Sequence, residues 1–271
     1  MAQIKSSNLA KRRRSDQPLL PAETTISFSA LNMDVLEEIF LRLPSHLVVC
    51  VCQSVCLQWK EVIDRASFWR ERCKREGYRP SDQSKIPEDW RLFYFLCKQR
   101  RNLIKNSCGE EKLNGWNIEK KGGDGWWVGP LRTEHPDKNV KKDYATSFGM
   151  CLKSQLIDLK KEGYTSSFMD TFQPDIKISD WYSPRSDCHS QYEVCVDLLN
   201  QNMEVVQRFA PETVICYIEE WNEMTHLFQN YGPGVRYIKF VHGGKDLRWW
   251  KGFYGIRLTN TCVEICPARE A

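Results

Sequence analysis

No apolar run in this 271-residue sequence approaches the ~20 residues that a membrane-spanning helix needs, so membrane insertion is not expected. No signal peptide is visible, and no Asn-x-Ser/Thr acceptor occurs anywhere. These absences fit a reducing compartment: the expected location is the cytoplasm, with the nucleus left open. Charge of one sign is scarce as well. The chain has 39 Lys and Arg against 35 Asp and Glu, a net charge of +4, which is too mild to imply a nucleic-acid partner. No phosphate loop follows Gly122-Gly-Asp-Gly125, which reads instead as a hairpin turn entering a buried strand at Trp126-Trp127. No nucleophile elbow or spaced Cys–His pair stands out. Cysteine is plentiful, at 12 residues, yet Cys50-x-Cys52, Cys52-x3-Cys56 and Cys262-x3-Cys266 lack His at zinc spacing. No metal or cofactor is expected, and the Cys among apolar residues read as small buried hydrophobes.

What is present falls into two textures. Residues 1–26 are polar and read as a disordered tail; the basic run at 11–14 is either an import signal or a solvated charge run, with the second favoured. Residues 27–76 are helical in pattern. Leu36, Ile39, Phe40 and Leu43 fall at i, i+3, i+4 and i+7, one apolar helix face, and Pro44 stops the helix. Asn32 can cap its start. A second apolar run follows from Leu47 to Val55, then Trp59 to Ile63 and Phe68 to Cys73 at helical spacing. So small a bundle cannot bury that many large apolar side chains, and the surplus implies a protein-docking face.

The order Leu36-Glu-Glu-Ile-Phe-Leu-Arg-Leu-Pro44, Val51-Cys-Gln-Ser-Val-Cys56, Trp59 and Phe68-Trp69 resembles the F-box. It departs at Leu31-Asn32, where many F-boxes have Leu-Pro. The resemblance implies docking onto the adaptor subunit of a cullin-based (SCF) ubiquitin ligase, and through it onto cullin. The implied adaptor-binding residues are Leu31, Leu36, Ile39, Phe40, Leu43, Pro44, Val51 and Trp59.

Residues 77–105 read as a linker containing one helix, Trp90 to Cys97 running into the basic residues at 98–101, with a stripe at Trp90, Phe93 and Leu96 or Cys97. From 106 to 271 short β-rich runs alternate with turns, among them Tyr231-Gly-Pro-Gly234. Tyr192, Val194, Val196 and Leu198 share one face, while Ile238 breaks the alternation begun by Val235 and Tyr237. No 20–50-residue repeat is visible. Many short strands with turn signals imply a sandwich or closed sheet. Residues from about 90 to 267, including Gly122-Gly-Asp-Gly-Trp126, Asp180-Trp-Tyr-Ser183, Arg185-Ser-Asp187, Tyr231-Gly-Pro-Gly-Val235 and His242-Gly-Gly-Lys-Asp246, resemble the F-box-associated (FBA) domain of the sugar-recognising F-box proteins. The expected fold class is α+β: a small helical F-box joined by a linker helix to an all-β, jelly-roll-like sandwich.

The stretch from His242 to Gly255 carries the candidate chemistry. Glycines bracket Trp249, Trp250 and Lys251, and neighbours in a strand point to opposite faces, so a glycine-rich loop can turn at least one ring outward. An indole offers a flat apolar face and a polar edge, a match for the C–H faces of a sugar. The resemblance places the inner chitobiose of an N-glycan against Trp249, Trp250 and Lys251, with Trp249 standing where a Tyr is usual. It adds Phe148 as an aromatic wall and Asp187 as a hydroxyl or amide acceptor. The expected function is a non-catalytic receptor that presents N-linked high-mannose glycoproteins for ubiquitination and ER-associated degradation. Two alternatives stay open: a receptor of the same ligase that reads a protein surface without a glycan, and a glycan-processing enzyme using carboxylates such as Glu219, Glu220 and Asp246.

Overall fold

The computed structural model describes residues 32–80, 82 and 84–268. Leu31, the tail expected over 1–26 and its basic run therefore lie outside the described residues. The chain divides into two compact units, one ending at Ile63 and the other beginning at Asp64.

In the first unit, helix α1 (Met33–Arg42) starts on Asn32, whose side-chain oxygen accepts from the Asp34 amide at 3.0 Å. It ends at Leu43, which is extended (φ −82, ψ 151), the conformation that a following proline enforces. Helix α2 (Ser45–Cys50) and a 3₁₀ turn (Cys52–Ser54) lead to α3 (Leu57–Asp64). Leu36, Phe40, Val48 and Cys52 are buried, and Phe40 meets Trp59 edge-on with centroids 5.0 Å apart. Val35, Ile39, Leu47, Val51, Val55 and Leu57 remain exposed, Leu57 at 85%. That is the apolar surplus implied by the sequence.

The second unit opens with α4 (Ala66–Arg75) and α5 (Trp90–Lys98), the latter capped by Asp89. Trp69 packs on Tyr94 and Phe95, and Glu76 accepts from Tyr94 Oη, Lys98 Nζ and Arg72 Nε. Helix α5 is tied to the β-structure. Phe93 packs on Phe172 of a π-helical turn (Phe168–Phe172), and the segment beyond it is stitched to the last strand by Arg100–Glu264 and by the Leu103 amide on Val263 O.

Eleven strands follow: β1 (Asn117–Lys121), β2 (Trp127–Pro130), β3 (Lys142–Ala145), β4 (Cys151–Asp158), β5 (Asp175–Ser183), β6 (Ser190–Leu199), β7 (Val205–Phe209), β8 (Val214–Cys216), β9 (Asn222–Phe228), β10 (Tyr237–Asp246) and β11 (Arg257–Cys266). They form two antiparallel sheets, ordered β1-β4-β10-β6-β7 with β8 also on β6, and β2-β3-β11-β5-β9. The fold is thus α+β, helices followed by a two-sheet sandwich. In β6 the inward residues are those expected, Tyr192 to Leu198 in steps of two. In β10 the inward phase is Ile238, Phe240 and His242, so Ile238 begins the buried alternation and does not break it.

The centre of the sandwich is polar at one point. Asp180 accepts from Tyr192 Oη (2.7 Å) and Thr261 Oγ1 (2.7 Å), and the Nδ1–H of a neutral His242 donates to it at 2.6 Å. Burial pushes His242 down to about 4. Lys153, equally buried, lies 3.2 Å from the Trp116 ring centroid and 3.7 Å from that of Tyr144, and burial moves it well below the usual lysine range. All 12 cysteines are free thiols, and seven of them are buried. Among the described residues no group of three or more His, Cys, Asp or Glu is placed to hold a metal, and no helix is long and apolar enough to cross a membrane.

Candidate functional site

The Trp249-Trp250-Lys251 stretch lies in the connection from β10 to β11. Glycines 243 and 244 belong to the end of β10 and not to the loop. A Cβ on Gly244 would sit 1.8 Å from Gln191 O, and one on Gly243 1.9 Å from Cys151 O, so their role is close backbone approach to β6 and β4. The loop proper starts at Asp246. Its buried carboxylate accepts from the Arg248 amide at 2.9 Å and the Trp249 amide at 2.5 Å, an Asx turn that places Trp249 at φ +60. The Asp246 and Leu247 amides donate to Ser147 O and His189 O. Gly252, at φ +116, donates to Asp124 Oδ2 at 2.7 Å and accepts from Ser147 Oγ at 2.6 Å. The Gly255 amide donates to Thr146 O. Three neighbouring segments thus pin the loop along its length.

Trp249 is 69% exposed and Trp250 39%. Trp250 meets Tyr254 edge-on at 5.5 Å; the Arg185 guanidinium lies over the Tyr254 ring at 4.1 Å and chelates Asp187 through Nε (2.8 Å) and Nη2 (2.7 Å). Asp187 is therefore linked to Trp250 through Arg185 and Tyr254. The hydrogen bonds from Arg185 hold its carboxyl below the usual range, so it is an acceptor at neutral pH. Lys251 is exposed and lines a cleft of about 390 Å³ with Arg185 and Tyr254. Phe148 is half-buried beside the 122–125 turn, since a Cβ on Gly123 would sit 2.9 Å from its ring. It shares that turn with Gly252, but among the described residues it makes no ring pair with Trp249 or Trp250.

Trp127, expected at the start of a buried strand, is instead 37% exposed and lines the same cleft. Strand β2 pairs only with β3 and so lies at the edge of its sheet, where one side of the strand meets solvent. Arg185 and Tyr254 were both in stretches singled out by the sequence, yet no spacing rule assigns them a role. Of the carboxylates considered for hydrolysis, Asp246 is buried and committed to the turn, and Glu219 faces Arg132 at 3.7 Å. A larger cleft, about 610 Å³, lies at the opposite end of the β5–β11 pair, beside Asp175, Leu227 and Cys266.

The residues expected to dock an adaptor separate by exposure. Ile39 (43%), Val51 (55%) and Pro44 are exposed, Leu43 and Trp59 are half-buried, and Leu36 and Phe40 (each 1%) form the core of the first unit.

The model of the F-box domain matches residues 28–71, and that of the F-box associated region (FBA) matches residues 94–265. F-box only protein 6 of Bos taurus is 43% identical over 247 residues, covering 89% of this chain and 93% of the relative. F-box only protein 44 of Homo sapiens is 41% identical over 248 residues (89% and 97%), and F-box only protein 2 of Bos taurus 43% over 244 residues (86% and 82%). Among solved structures, TmCBM61 in complex with beta-1,4-galactotriose is 12% identical with a TM-score of 0.41, covering 60% of this chain and 97% of that chain. The Family 16 Carbohydrate Binding Module-2 is 15% identical with a TM-score of 0.37, covering 60% and 99%. Structural likeness of that degree does not bear on function.

Proposed function

The chain belongs to the F-box proteins that carry an F-box associated region, and from that premise we propose that it is a substrate receptor of an SCF-type ubiquitin ligase that binds N-linked high-mannose glycoproteins through their chitobiose core. The exposed apolar side chains of α1 to α3 dock the adaptor and, through it, cullin. The loop at 249–251 holds the client. The observation that carries the glycan reading is the pair Trp249 and Trp250, exposed on a loop whose backbone is pinned at Asp246, Gly252 and Gly255. A ring carried on a pinned backbone stacks on a sugar without the cost of ordering the loop. Lys251 and Asp187 supply a donor and an acceptor for hydroxyl or N-acetyl groups beside it.

The chain works by proximity. Holding client and ligase together raises their effective concentration, while the transfer of ubiquitin belongs to partner subunits. Misfolded glycoproteins met in the cytoplasm, as in ER-associated degradation, are the clients this reading implies.

A second reading, a receptor for a protein surface, draws on Tyr217 and Ile218, exposed at 60% and 68%; Tyr217 packs on His189, which also holds the Leu247 amide. One measurement separates the two. The full chain should bind immobilised high-mannose glycan and release it to free chitobiose. No binding by a folded chain would leave the protein-surface reading.

A further inference from the structure

The cleft beside the aromatic loop has a charge that an uncharged glycan does not use. It is lined by Arg132, Arg185, Lys251 and Arg257 together with the aromatic side chains of Trp127 and Tyr254, with Arg185 lying over the Tyr254 ring. Three carboxylates oppose these four cations. Asp187 is chelated by Arg185, Asp143 lies 2.5 Å from Arg257 at the buried base, and Glu219 faces Arg132 at 3.7 Å. Lys251 has no ion pair among the described residues, and the Asp124 carboxylate beside it is held on the Gly252 amide. The Arg132–Glu219 pair is long, and the Arg132 side chain is 45% exposed, so it holds its arginine weakly. A planar guanidinium and an ammonium lining one cleft with aromatic side chains suit an anionic oxygen group, a carboxylate above all.

We propose that this cleft binds a carboxylate of the client polypeptide, an Asp or Glu within about three residues of the glycosylated asparagine, through Arg132 and Lys251. The inference rests on the glycan reading. High-mannose sugars carry no charge, so the anion comes from the chain to which the chitobiose is joined. The cleft adjoins the aromatic loop, since its Tyr254 meets Trp250 edge-on with ring centroids 5.5 Å apart, and one to three residues of extended peptide reach roughly 3–10 Å from the linked Asn. Client selection would then depend on the sequence around the glycan as well as on the glycan.

The test uses synthetic glycopeptides with one high-mannose glycan, carrying Glu or Gln one, two or three residues to either side of the linked Asn. These and the free glycan are titrated into the full chain and into its Arg132→Gln variant. At one or more positions Glu should bind about tenfold tighter than Gln at low salt, and the advantage should shrink at high salt. It should vanish in Arg132→Gln, while free-glycan affinity stays the same. Equal binding of all Glu and Gln peptides, with the free glycan still bound, overturns the carboxylate cleft and leaves the glycan reading standing. A Glu preference that survives Arg132→Gln overturns the location. Failure of the free glycan to bind removes the glycan reading, and this inference with it.

Discussion

Replacing Trp250 by Ala tests the recognition loop at its centre. The indole is 39% exposed. Of the roughly 250 Å² that a large aromatic side chain can bury, about 100 Å² is thus available to a ligand. A sugar face covering half to all of that area removes about 50–100 Å² from water, worth about 1.2–2.5 kcal/mol at ~25 cal/mol/Å². The expected loss of glycan affinity is roughly 8- to 60-fold. The loop should keep its path in the variant, because Asp246, Asp124 and Ser147 hold its backbone and no hydrogen bond of the indole does. The ring's edge contact with Tyr254 and its place under Arg248 are lost, at a cost of about 1 kcal/mol each at most.

The assay is isothermal titration of a soluble chitobiose-bearing high-mannose glycan into the full chain, with folding followed by circular dichroism and adaptor binding by co-purification. Leu156→Ala is the control, since Leu156 is also exposed, at 51%, but lies on β4 away from the loop. A folded Trp250→Ala variant within twofold of wild type, or an equal loss in Leu156→Ala, would refute the platform.

Three further outcomes follow from the geometry. Ile39→Asp or Val51→Asp should abolish adaptor co-purification while the chain stays folded, whereas Leu36→Ala with Phe40→Ala should unfold the first unit, at about 2–5 kcal/mol per truncation; the reverse pattern in thermal melts would show the docking face to be wrongly placed. Gly244→Ala should cost more than about 3 kcal/mol, because its Cβ would fall 1.8 Å from Gln191 O in a strand paired on both sides, and an unchanged melting temperature would contradict that packing. His242, held to about 4 by burial, should stay neutral in an NMR titration down to pH 5. Its folded value lies below its unfolded one, so its contribution is complete above pH 6.5 and lost as pH falls toward 4, about 3 kcal/mol in all. Asp143, raised by burial to about 7, acts with the opposite sign over the same range, so the melts belong in an Asp143→Asn background; an imidazole midpoint near 6.5 would dismiss the buried neutral state.

The sequence was most legible where the physics is local. Asn32 and Pro44 bracket α1, and the period-2 burial of β6 is written in Tyr192 to Leu198. Strand β11 shows no continuous alternation in the sequence because a bulge falls between Thr259 and Cys262, with Asn260 at φ +49. Strands β1 and β9 left little trace, since both lie at sheet edges with mostly exposed side chains, and an edge strand needs no apolar face of its own. Gly243 and Gly244 read as loop residues in the sequence because a glycine needed for flexibility and one needed for close approach look the same there. At the site the same division holds. Trp249, Trp250 and Lys251 stand out between glycines, but the partners that fix them do not. Asp124 holds Gly252 across 128 residues, and Arg257 meets Asp143 across 114. No spacing rule spans such separations. The fold's contribution is therefore direction more than chemistry. The same Trp-Trp-Lys in a loop lacking Asp124, Ser147 and Asp246 would carry identical rings, but each binding event would then bear the cost of ordering them.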